Sequence, residues 1–65
     1  MYTQIGEMRM WVGKYANREL AVSAAYRMSP IGTVVMGDDG RWWVVSYRDG
    51  VRLVKAGYEE LPLRN

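Results

Sequence analysis

The stretch Val34–Tyr47, VVMGDDGRWWVVSY, decides the fold. A β-branched run (Thr33 to Val35, with Met36) and the run Arg41 to Tyr47 flank the turn signal GDDG. Gly40 takes positive φ at no steric cost and an Asp side chain can bond the local backbone, so the segment is a β-hairpin. Neighbouring side chains on a strand point to opposite faces, and Trp42 and Trp43 therefore cannot enter the same core. A two-residue turn at Asp39-Gly40 puts Val34, Met36, Trp43, Val45 and Tyr47 on one face, and Thr33, Val35, Trp42, Val44 and Ser46 on the other. A bulged turn at Gly40 shifts the pairing by one and exchanges the tryptophans relative to Val34 and Met36. We expect the two-residue turn, with Trp43 inside and Trp42 outside.

Downstream, Ser46 can cap a helix, with Asp49 three residues on as in a capping box, and Gly57 sits where a left-handed C-terminal cap is wanted. Tyr47, Val51 and Val54 share one face of this short helix. Gly50 weakens it by about 1 kcal/mol relative to Ala, so it needs tertiary support. The tail YEELPL reads as a last strand, which Pro62 places at a sheet edge or ends. Upstream, Met8, Met10 and Val12 alternate with Glu7, Arg9 and Trp11 between Gly6 and Gly13, which predicts a first strand. The segment NRELAVSAAYRMSP opens with Asn17 as N-cap and stops before Pro30. Leu20, Ala21, Ala24, Ala25 and Met28 fall on one face of that helix.

The order β-α-β-β-α-β packs most economically as an α+β, two-layer βαββαβ fold. Both helices then lie on one face of a small antiparallel sheet, the ferredoxin-like arrangement or a truncated variant of it. In that topology the first and third strands lie side by side in the middle. The runner-up is a three-stranded meander crossed by the first helix alone, its N-terminal strand swapped onto a partner.

A chain of 65 residues is expected to be one small α+β domain, 1–65, with a thin core, since a domain near this size buries only roughly 60% of the surface its unfolded chain exposes. Its 49% hydrophobic and 25% charged residues suit a folded globular protein. The absence of Cys removes disulfides and thiolate metal sites, which points to a reducing cytoplasm. Runs such as WWVV are far too short to span a bilayer, so no membrane association is expected.

With neither His nor Cys, the commonest general base, the thiolate nucleophile and the usual zinc ligands are missing, so we expect a non-enzyme with no cofactor. No glycine spacing matches a phosphate-binding loop, and two adjacent Asp at a hairpin tip serve the turn better than a calcium ion. Nine Lys and Arg stand against seven Asp and Glu, scattered along the chain with no basic run. The fold would have to gather them before they could bind phosphates.

The candidate site is an aromatic sheet face. If the side of the sheet away from the helices is open, it carries Trp11 with Trp42, edged by Val35, Val44, Arg9 and Arg41. Trp, Tyr and Arg dominate interface energetics, and burying a face stabilises a thin-cored domain. The expected function is therefore a small protein-binding module, a regulator, adaptor or inhibitor of the kind mobile elements carry, docking on a protein partner or on itself as a homodimer. The alternative is a single-stranded nucleic-acid-binding domain, whose bases would stack on the same aromatics while Arg and Lys meet phosphates. Its architecture is analogous to that of RNA-recognition domains, although the signature of spaced aromatics and Gly is absent.

Overall fold

The computed structural model describes residues 1–63; Arg64, one of the scattered cations, and Asn65 lie outside the described residues. Eight elements follow in order: β1 (Tyr2–Ile5), β2 (Met8–Trp11), β3 (Gly13–Tyr15), α1 (Arg18–Tyr26), β4 (Thr33–Met36), β5 (Trp42–Val45), α2 (Tyr47–Lys55) and β6 (Glu59–Leu61). The class is the predicted one, a small α+β fold with two helices packed against antiparallel strands. Two elements are additional, β1 and β3. The predicted first strand is β2, β3 follows it into the main sheet, and β2 pairs with the N-terminal strand β1 in a separate two-stranded sheet. Its turn is Gly6-Glu7, closed by the pair Ile5 and Met8, with Gly6 at φ 60°. That Gly-X two-residue loop is a hairpin signal in its own right.

The hairpin β4–β5 takes the bulged turn and not the two-residue one. The Gly37 N–H donates to the Arg41 carbonyl at 2.8 Å and the Gly40 N–H to the Gly37 carbonyl at 3.1 Å, while Gly40 adopts φ 81°. The loop is thus Asp38-Asp39-Gly40, a turn followed by a left-handed residue. Met36 consequently pairs with Trp42 and Val34 with Val44. Val34, Met36, Val44 and Trp42 share one face; Val35, Trp43 and Val45 share the other.

The main sheet runs β3-β5-β4-β6, antiparallel throughout. The predicted first strand, β2, is not beside the third as expected; β3 takes that place next to β5, and the last strand adds beyond β4, which leaves β3 at an edge. This one choice changes the layering. The crossovers β3-α1-β4 and β5-α2-β6 step the same way across the sheet from strands of opposite direction, so two crossovers of the favoured right hand put their helices on opposite faces. The core divides accordingly. Ala21 and Ala25 of α1 pack on Val34 and Val44, whereas Leu53 of α2 packs with Met10, Val12, Val35, Trp43 and Val45. The expected two layers are three: α1, the sheet, and α2 beside the β1–β2 hairpin.

Local chemistry explains the helices. The Asn17 carboxamide oxygen accepts from the Glu19 and Leu20 N–H groups at 2.7 and 3.2 Å, capping α1. Leu20, expected on its core face, is exposed. The Ser46 hydroxyl accepts from the Asp49 N–H at 3.2 Å, and the Asp49 carboxylate goes to Arg52 at 3.3 Å, so half of the predicted capping box forms. At the other end the Tyr58 and Gly57 N–H groups donate to the Leu53 and Val54 carbonyls, both at 3.0 Å, closing α2 as the sequence predicts. The face of α2 differs from expectation. Gly50 and Leu53 are buried, and Tyr47, Val51 and Val54 are exposed. A Cβ at Gly50 would lie 2.4 Å from the Thr33 Cβ, so the helix rests on β4 through its glycine and is turned by roughly a quarter of a revolution.

Candidate binding surface

The hairpin β1–β2 has two unlike faces, because its alternation is strict. Ile5, Met8 and Met10 turn inward onto Trp43 and Leu53, while Tyr2, Gln4, Arg9 and Trp11 turn outward and are all exposed. Cross-strand pairing sets Tyr2 opposite Trp11 and Gln4 opposite Arg9. The Arg9 guanidinium carbon stands 5.6 Å from the centre of the Tyr2 ring, a cation–π contact. Trp11 keeps 51% and Tyr2 68% of its surface accessible, unusual for rings of this size, so the outer hairpin face is an exposed aromatic patch.

At one end the patch meets the main sheet. The Trp11 ring and the Tyr15 Cε1 both lie against Gly13, 3.4 and 3.2 Å from where a Cβ would stand. Tyr15 is half-buried and pairs across the strands with half-buried Trp42. An aromatic series, Tyr2, Trp11, Tyr15 and Trp42, thus passes from the open hairpin to the flank of α1.

The residues expected to form one sheet face are therefore dispersed. Val35 and Val44 are 0 and 3% accessible and lie in the core on opposite sides of the sheet, because each face is covered by a helix layer. Trp42 packs beside Ala21 and Ala25, and exposed Arg41 closes the β4–β5 loop with its backbone. Trp11 and Arg9 alone come together, with Tyr2 as the member sequence reasoning missed. The signal for it was the Gly6-Glu7 turn, which folds Tyr2 onto Trp11.

Lys14 does not join them. Lys14 forms an ion pair with Asp39 at 3.3 Å and lies 5.0 Å from the centre of the Trp43 ring. The other Asp39 oxygen accepts from the Arg41 N–H and from the Trp43 indole N–H, each at 3.0 Å. The backbone N–H of Arg41, aided by Lys14 and Trp43, holds the Asp39 carboxyl below its ordinary pKa despite partial desolvation. Tyr58 donates to Asp38 at 3.3 Å, and burial, with the negative charge of Asp38, pushes the phenol above its ordinary pKa. Both aspartates of GDDG are thus used in fastening the loop over Trp43.

No family model matches the chain, nor does any curated protein or solved structure.

Proposed function

We propose that the protein is a small, non-enzymatic, cytoplasmic protein-binding module, a regulator, adaptor or inhibitor that docks the Tyr2–Arg9–Trp11 face of its N-terminal hairpin onto a protein partner. The observation that carries this is the exposed cross-strand pair Tyr2 and Trp11, with Arg9 over the Tyr2 ring, held on a hairpin whose opposite side is buried in the core. These three residue types supply most binding energy at protein interfaces, and a preformed hairpin lowers the entropy lost on docking. Lack of His and Cys supports a binding role over catalysis. No helix among the described residues is long and apolar enough to cross a membrane, which agrees with a partner met in solution.

A protein partner is favoured over nucleic acid because the patch holds one cation, Arg9, while Lys14 is turned to Asp39. Nucleic-acid grooves neutralise several phosphates at once. The test is affinity capture from source cells with wild type and Trp11→Ser, with and without nuclease, and sedimentation of the isolated protein beside it. Nuclease-resistant capture, or a dimer, that Trp11→Ser abolishes supports the assignment. Capture lost to nuclease, or indifferent to both Trp11→Ser and Tyr2→Ser, overturns it.

A further inference from the structure

We propose that the free edge of β6 is a second docking site, one that takes an extended peptide strand bearing basic side chains. It lies apart from the hairpin patch and does not depend on it. Among the described residues β6 ends the sheet order and pairs with β4 alone, so one side of Glu59–Leu61 offers backbone groups that none of them pairs. A strand added there places alternate side chains above and below the sheet.

A groove waits on each side. Beside α2, a groove of about 330 Å³ is lined by Tyr47, Val51 and Val54, the apolar side chains that the turned helix leaves exposed, with Glu60 and Lys55 offsetting each other in charge. Beside α1, a groove of about 260 Å³ is lined by Met36, Trp42, Leu61, Pro62 and Glu59. The register assigns the glutamates: Glu60 lies opposite Val35 and faces α2, while Glu59 lies opposite Met36 and faces Trp42. Among the described residues neither Glu59 nor Glu60 forms an ion pair.

Charge selects the occupant. In a two-fold antiparallel pairing centred on Glu59 or Glu60, a glutamate of this edge stands opposite its own copy, which is unfavourable. A basic strand reverses that sign. An arginine on the α1 side can lay its aliphatic stem over Trp42 and reach Glu59 with its guanidinium, while small apolar residues on the other side fill the space between Val51 and Val54.

The probe is a blocked hexapeptide of alternating arginine and valine, titrated calorimetrically into the whole chain. It should bind, and a glutamate–valine counterpart and a fully N-methylated arginine–valine peptide should each bind at least about tenfold more weakly. Glu59→Lys with Glu60→Lys, checked for folding by circular dichroism, should weaken the arginine–valine peptide by a similar factor, whereas Trp11→Ser should leave it unchanged. Amide exchange should slow in β6. Absence of binding, equal binding of the N-methylated peptide, or protection in β3 or the hairpin instead of β6 would each overturn the proposal. Loss with Trp11→Ser would assign the peptide to the hairpin and overturn it as well.

Discussion

Trp43 and Trp42 are neighbours with unequal burdens. Trp43 is 3% accessible, sits 5.6 Å from the Tyr58 ring and donates its indole N–H to Asp39. Replacing it with Ala should cost about 3 to 5 kcal/mol in a denaturant melt, as large aromatic truncations in a core do. Trp42→Ala, at a half-buried site, should cost clearly less; equal losses would contradict the different cover on the two sides of β5. Gly37→Ala tests the same packing without touching Trp43. A Cβ there would stand 2.1 Å from the indole Cε2, so the variant should lose roughly 1 to 3 kcal/mol by overpacking. Asp39 carries a pH dependence of known sign. Its folded pKa lies below the unfolded one, so its contribution is complete above the ordinary aspartate range and is lost as pH falls through the folded value. Asp39→Asn should flatten the acid limb of the melting temperature against pH; an unchanged limb would remove this residue from the loop's stability.

Each helix is held by a different device. Capping by Asn17 is local, and Asn17→Ala should destabilise by about 1 kcal/mol, seen as a lower denaturant midpoint with an unchanged slope. Gly50 reverses the usual propensity rule. Gly to Ala in a helix interior normally stabilises by about 1 kcal/mol, yet here the new methyl would meet the Thr33 Cβ at 2.4 Å. Gly50→Ala should therefore lower the melting temperature, and a gain in stability would mean that α2 stands farther from β4 than described. The helix α2 was legible as an element, from Ser46 to Gly57. Its buried face was not, because the hydrophobic pattern of Tyr47, Val51 and Val54 outweighed a glycine whose value lies in close approach.

Across the whole molecule, the β1–β2 hairpin is the layer that α2 leaves unfilled. Ile5, Met8, Met10 and Val12 complete the cluster around Trp43, Val45 and Leu53. Deleting residues 1–11 should expose Trp43, red-shift its fluorescence and abolish cooperative melting. The double change Tyr2→Ser with Trp11→Ser alters only the outer face and should move stability by no more than about 0.5 kcal/mol. Retained blue-shifted emission after the deletion would show that α2 alone suffices for that face.

The sequence by itself determined the strands β4, β5 and β6, both helices with their caps, the inward alternation of Met8, Met10 and Val12, and the outward Trp11 and Arg9. These follow from local sterics and periodicity, which act over a few residues. Tertiary structure decided three things: the bulged register of β4 and β5, the edge to which β6 adds, and the cover over each face of the sheet. The register turns on Gly40 closing a three-residue loop that Asp39 fastens to Arg41 and Trp43. The choice of edge is a long-range pairing whose strands look alike in isolation, and crossover handedness then sends α2 to the far face. Val35 and Val44 accordingly went from the predicted surface into the core, because what lies above a strand is fixed by where the rest of the chain packs.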